Sequence, residues 1–259
     1  MVGERISGSG GLLDRGDPPV VEISGPVGGS APFVLLGDHA GDALPRSLNQ
    51  LGLSPADRSR HIAVDIGSHR LGLELSERLG APFVSQTYSR LVIDCNRAPD
   101  RPDAIPETSD GTPVPGNRKL SPAARQARIG EVHEPYHAAI AELLDRRARA
   151  AVRTLLVSVH SFTPIFGGSS RPWQVGVLHD ANAFAQKVLA QMQAQGEYVI
   201  GDNEPYRFDA TDYTIPRHAF PRKLDWVELE IRQDLLADRV ATTRMADLLA
   251  RMLDAALQE

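Results

Sequence analysis

Only one cysteine, Cys95, occurs in the 259-residue chain. No disulfide can close within the chain, and a structural zinc site, which would more often use thiolates, is disfavoured. No apolar run reaches the roughly 18 residues that mark a membrane-spanning helix, and no signal-like hydrophobic segment is seen, so the expectation is a cytoplasmic protein with no membrane partner. Long basic tracts are missing too. Lys and Arg number 28 against 33 Asp and Glu, a formal net charge of −5, which gives no electrostatic support to nucleic-acid binding. A Gly-x-Ser-x-Gly elbow and a Gly-x-Gly-x-x-Gly fingerprint are both lacking, and the serine-hydrolase and dinucleotide-binding readings lose their usual entry points.

What is present is 42% apolar sequence, enough to bury a large core. Residues 1–19, with clustered Gly and Pro, read as a loose extension, and residues 20–259 as a single α/β domain. Short apolar runs predict strands near 20–23, 33–36, 83–84, 91–93, 153–160, 173–178, 197–201 and 226–232. Between them, Leu71, Leu75 and Leu79 at four-residue spacing predict a helix that Gly80 stops. Ser121-Pro122 opens a helix running toward Arg149, and further helices are expected over 180–195 and 240–257. This alternation predicts a three-layer α/β/α domain.

Ligands of open α/β sheets bind outside the carboxyl ends of the strands. His39 follows the apolar run Phe33-Val34-Leu35-Leu36, and His160 finishes Leu155-Leu156-Val157-Ser158-Val159. Two imidazoles delivered to one sheet edge suit a catalytic zinc, and Asp42, three residues past His39, is the expected carboxylate ligand, with Asp38 or Asp65 as alternatives. A water in the remaining coordination position becomes a nucleophile near neutral pH. His133-Glu134-Pro135-Tyr136-His137 formally matches the zincin pattern, but Pro135 lacks a donor inside that helix and weakens the match. His137 is instead expected in a substrate pocket. Period two puts Glu228, Glu230 and Arg232 on one strand face, with Glu230 as general base and Arg232 restraining an oxyanion, or all three as solvent-facing charges. Asn96-Arg97 reads as a carboxylate clamp, Cys95 as a packed thiol, and Tyr206 in Asn203-Glu204-Pro205-Tyr206 as a pocket wall or a rigid turn.

Taken in order, Asp38-His39-Ala40-Gly41-Asp42, His61-Ile62-Ala63-Val64-Asp65-Ile66-Gly67, Ser89 through Arg97, Pro135-Tyr136-His137, Val159-His160-Ser161, Asn203 through Tyr206 and Glu230-Ile231-Arg232 resemble the N-formylglutamate amidohydrolase family across roughly 33–257. The resemblance implies a zinc-dependent hydrolase with a mixed central sheet, related in fold to zinc-dependent metallocarboxypeptidases. It implies cleavage of N-formyl-L-glutamate, or a related small carboxylate-bearing N-acyl amino acid, during histidine degradation. It also gives metal roles to His39 and His160, the general-base role to Glu230, and carboxylate binding to Asn96-Arg97. The family's usual Pro-His-Ser-Gly loop is replaced here by Asp38-His39-Ala40-Gly41, which marks a divergent branch. Two other classes stay open from the residues alone: a non-catalytic carboxylate-binding domain, and a zincin-like peptidase centred on His133, Glu134 and His137.

Overall fold

The computed structural model describes residues 11–258. Its central sheet has seven strands: β1 (Val21–Ser24), β2 (Phe33–Gly37), β3 (Phe83–Gln86), β4 (Leu155–Phe162), β5 (Val175–Leu178), β6 (Ile200–Asp202) and β7 (Asp225–Arg232). They lie in the order β1-β3-β2-β4-β7-β5-β6. The run β3, β2, β4, β7 is parallel, while β1 and β5 each join a neighbour antiparallel and β6 follows β5 in parallel. The sheet is therefore mixed. The principal helices are α1 (Ser68–Leu79), α2 (Pro122–Arg128), α3 (Glu134–Arg149), α4 (Ala183–Ala194), α5 (Thr214–His218) and α6 (Arg239–Gln258).

Alternate residues of each central strand point to opposite faces, and the two faces are chemically different. Phe33 and Leu35 of β2, Leu155, Val157 and Val159 of β4, and Val227, Leu229 and Ile231 of β7 are buried in one apolar cluster with α1, α4 and α6. Val34, Leu36, Leu156 and Trp226 face the other way, onto Tyr136, Ile140 and Leu143 of α3 and Ile215 of α5. The result is a three-layer α/β/α arrangement. The local signals act as their chemistry predicts. Gly80 ends α1 in the left-handed region at φ 58°, the Ser121 side chain caps α2 by accepting from Ala124 N, and Asn182 caps α4 through Ala185 N.

Three expectations need correcting. Leu91, Val92 and Ile93 are buried but form no strand. Their segment turns on Val92 N–H to Ser89 O and Asp94 N–H to Ala104 O, and a short buried apolar run cannot be told from a strand by periodicity alone. The helix expected from 121 to 149 is interrupted by a π turn at Ile129–His133, which leaves Pro135 in the first turn of α3, where a proline is tolerated. Of the loose extension expected over 1–19, residues 1–10 lie outside the described residues. Its described part is tied down: Leu12 N–H and Leu13 N–H donate to the Glu131 carboxylate at 2.8 and 2.9 Å, and Tyr88 Oη donates to Pro18 O at 2.7 Å.

Leu229 is fully buried on the apolar face of the long parallel pair β4–β7. Leu229→Ala is expected to lower the unfolding free energy by about 2–5 kcal/mol, read as a lower denaturant midpoint at unchanged slope.

Candidate metal centre

The face that carries α3 and α5 is apolar at one end of the strands and polar at the other. Along β4 it reads Leu156, Ser158, His160, and along β7 Trp226, Glu228, Glu230, with Glu228 opposite Ser158 and Glu230 opposite His160. Val34 and Leu36 of β2 are continued by Asp38, and the turn that follows delivers His39. His160 stands inside β4, two residues before its last residue, rather than at its exit. Period two thus brings the polar groups of three parallel strands to one carboxyl edge.

Asp65, placed just before α1, completes a cluster with the two histidines. One ligand atom from each of His39, Asp65 and His160 lies within 4.8 Å of the others, and this is the only such group among the described residues. His160 Nδ1 is 2.9 Å from Asp65 Oδ2, His39 Nδ1 is 3.5 Å from the same oxygen, and the two ring centroids are 4.9 Å apart. The loop is stitched to the strand end by Asp65 N–H to His39 O at 3.0 Å.

Each imidazole turns its other nitrogen toward a fixed partner. His39 Nε2 sits 2.7 Å from Asp94 Oδ1, and His160 Nε2 sits 2.9 Å from Ser158 Oγ and 3.6 Å from Asp38 Oδ2. Such partners orient metal-binding histidines and set their tautomers. His39 Nδ1, by contrast, is buried with no hydrogen-bond partner. A lone pair on that nitrogen, beside a carboxylate oxygen and a second imidazole, fits a zinc ion held by two histidines and one carboxylate.

The charges tell the same story. Burial pulls the His160 pKa down, but Asp38 and Asp65 outweigh it and hold the imidazole well above its ordinary value. Burial and Arg90 oppose a charged His39, yet Asp94 and Asp65 raise it. Despite burial, Asp65 and Asp94 stay below the usual carboxylate range. His39 and His160 favour the charged form of Asp65, and Arg90 and His39 that of Asp94. Arg90 spans both carboxylates, at 3.3 Å from Asp65 Oδ1 and 2.6 Å from Asp94 Oδ2. Burial pushes Glu228 up to about 8 and Glu230 up to about 7. A buried cluster this rich in carboxylates is neutralised either by protons or by a divalent cation, and the two compete.

A cavity of about 410 Å³ opens on the cluster, lined also by Glu230, Glu228, Asn96, Arg97 and Tyr206. The Oε2 atoms of both glutamates are buried and unpartnered. Arg97 Nη1 donates to Asn96 O and Thr211 O. Asn96 Oδ1 accepts from Tyr213 N–H and Thr214 N–H at the start of α5. The Tyr206 hydroxyl accepts from Arg171 Nη1, whose guanidinium carbon lies 4.7 Å from the ring centre.

Four sequence expectations fall elsewhere. Asp42 is exposed and outside the cluster. The chain there is pressed on the Thr87 backbone, where a Cβ on Gly41 would lie 2.0 Å from the Thr87 oxygen, and Ala43 N–H bonds that oxygen, so Asp42 is carried past the site. Asp38 lies behind His160, accepting from Tyr136 Oη and Thr214 Oγ1. His137 does not line the cavity. It is buried beneath the Asn96 segment, bonded to Cys95 O and His218. Arg232 is bound to Asp234 and to backbone carbonyls of residues 171–173, outside the cavity lining. Asp94, Arg90, Ser158 and Glu228 had no role assigned from sequence. Glu228 was findable as the same-face neighbour of Glu230, whereas nothing local marks Asp94 as the partner of a histidine 55 residues away.

Residues 31–237 match the model of the N-formylglutamate amidohydrolase family. Among solved structures, gene product Atu2144 of Agrobacterium tumefaciens is 32% identical with a TM-score of 0.91, covering 95% of this chain and 98% of that one. An N-formylglutamate amidohydrolase from Ralstonia eutropha JMP134 is 19% identical with a TM-score of 0.68, covering 93% and 99%; at that identity it speaks for the fold. No curated protein matches the chain.

Zinc binding gives a direct check on the cluster. His39→Ala, Asp65→Ala and His160→Ala are each expected to lose bound zinc in elemental analysis, and Asp42→Ala to keep it. Zinc at a hundred times its Kd should stabilise the fold by about 2.7 kcal/mol, seen as a raised thermal midpoint. Because both histidine pKa values are raised, protons compete with zinc at higher pH than they do for free imidazole. Affinity measured by calorimetry should therefore fall on going from about pH 8 to about pH 6.

Proposed function

The chain belongs to the N-formylglutamate amidohydrolase family, and from that premise we propose that it hydrolyses N-formyl-L-glutamate, or a closely related small N-acyl amino acid, to a carboxylic acid and the free amino acid. The observation that carries this reading is the meeting of His39, Asp65 and His160 in the same cavity as an unpartnered buried Glu230. Two histidines and one carboxylate at the carboxyl edge of a mixed sheet, with a glutamate on the adjacent strand, also support a kinship with zinc-dependent metallocarboxypeptidases, whose ligand set is of the same type. A cytoplasmic setting, a single domain over 20–259 and a place in histidine degradation belong to the same reading. Among the described residues no helix is long and apolar enough to cross a membrane.

In this mechanism His39, Asp65 and His160 would hold the zinc. Zinc in such a site supplies Lewis acidity toward an amide carbonyl and makes water nucleophilic near neutral pH. Glu230 takes one proton from the water as its oxygen bonds to the acyl carbon. When the tetrahedral species collapses and the C–N bond breaks, Glu230 gives that proton to the leaving nitrogen. Burial pushes its carboxyl up to about 7, the direction that suits a residue that must accept and then donate a proton. Arg97 and Asn96, on the cavity wall, bind the substrate carboxylate away from the reacting carbon. Tyr206 also lines this cavity, with its ring against Arg171.

Two substitutions test these roles. Glu230→Gln removes the proton carrier while leaving the zinc ligands intact. Its kcat on N-formyl-L-glutamate should fall by roughly a hundredfold or more at unchanged zinc content, and normal turnover would reject the assignment. Arg97→Met should sharply reduce kcat/KM for a carboxylate-bearing N-acyl substrate and affect a matched neutral amide far less. Equal losses on the two substrates would remove the clamp from this reading.

A further inference from the structure

Three buried histidines remain outside the reaction as described. His133 and His137, four residues apart across the junction of the π turn and α3, and His218 at the end of α5 are all within 1% of complete burial. Their rings form a row, with centroids 4.5 Å apart between His133 and His137 and 5.2 Å between His137 and His218. His133 and His137 are the pair that makes the sequence resemble a zincin, yet their nitrogens face protein. His133 Nε2 is 3.0 Å from Arg97 O, and His137 Nε2 is 3.0 Å from Cys95 O. The Glu134 side chain between them is exposed.

These partners fix the protons. A carbonyl oxygen only accepts, so His133 and His137 each carry hydrogen on Nε2. A neutral His137 then has a bare Nδ1, which accepts from His218 Nε2–H at 3.0 Å. The remaining nitrogens, His133 Nδ1 and His218 Nδ1, are buried without partners, and a second proton on either ring would face no acceptor. Burial lowers all three pKa values, that of His218 to about 4, in keeping with three neutral rings.

The two carbonyls held in this way bracket Asn96. On its other side the Asn96 side chain is tied to the first backbone N–H groups of α5, and its own N–H donates to Asp94 Oδ1 at 2.8 Å. We propose that His133, His137 and His218 are positioning residues. They form a neutral hydrogen-bonded platform that fixes the carbonyls of Cys95 and Arg97, and so aims Asn96 and Arg97 into the substrate cavity. This inference rests on Asn96-Arg97 being the carboxylate clamp. The zincin-like spacing is explained without a metal: an i, i+4 pair on one helix face meets two carbonyls two residues apart.

The test begins with the zinc-loaded wild-type protein. Nitrogen-15 NMR of the histidine rings should show His137 neutral with its proton on Nε2 near pH 7, and a charged ring or the Nδ1–H form overturns the platform. His137→Phe, which keeps an aromatic ring but loses the donor, should raise KM for N-formyl-L-glutamate by about tenfold, with kcat and zinc content near wild type. His137→Gln, whose side-chain amide can donate to Cys95 O, should recover much of that loss. An unchanged KM in His137→Phe, or a fall in kcat with loss of zinc, overturns the positioning role. If Arg97→Met leaves KM unaltered while His137→Phe raises it, the clamp reading fails rather than the platform.

Discussion

The rest of the site depends on one buried carboxylate. Asp65 Oδ2 sits between two imidazoles, Asp65 Oδ1 faces Arg90, and the residue is almost wholly shielded from water. An isolated carboxylate there would be strongly disfavoured. It is tolerated because the His160 ring, the Ser161 N–H and the Arg90 guanidinium all turn toward its oxygens, and because its own backbone N–H is bound to His39 O. The same placement decides the chemistry: a hard anionic oxygen and two nitrogen donors converge where water is scarce, which is what a catalytic zinc site requires and what a protein core otherwise avoids.

The sheet makes this affordable by dividing its two faces. One face of β2, β4 and β7 packs apolar residues against α1, α4 and α6 along the strands, and the hydrophobic driving force for folding is concentrated there. The other face is apolar only where α3 and α5 cover it. Beyond that cover it presents Ser158, His160, Glu228 and Glu230, two of them carboxyls with unpartnered oxygens. An unpaired buried carboxyl destabilises a fold. Such a cost recurs at functional sites and is offset elsewhere in the structure.

How much of this was legible follows from the range of each signal. His160 and Glu230 are paired by strand register, and alternation along a strand can be read locally, so both were visible in the sequence; His39 was visible as the first histidine after an apolar run. The sequence leaves the carboxylate among Asp42, Asp38 and Asp65, with proximity to His39 favouring Asp42, whereas Asp65 reaches His160 across 95 residues of chain. Arg232 obeys the same alternation as Glu230 but lies at the strand end, where Asp234 takes its guanidinium. Leu91-Val92-Ile93 has strand composition without a ladder, since burial rather than hydrogen bonding selects those side chains.

Asp94 joins what the sequence presents as separate motifs. It accepts from His39 Nε2, pairs with Arg90 and receives the Asn96 N–H. The residue that orients a metal-binding imidazole therefore also anchors the turn that carries the proposed carboxylate clamp. A histidine proton shared with a carboxylate strengthens as the other ring nitrogen binds a cation, because the imidazole becomes a better donor. The same carboxylate thus links the His39 imidazole to the Asn96 N–H and, through it, to the wall of the cavity. The segment from Arg90 to Arg97 is best understood as one hydrogen-bonded unit, with its first arginine on the metal ligand's carboxylate and its last on the cavity wall, which gives a physical reason for their closeness in the chain.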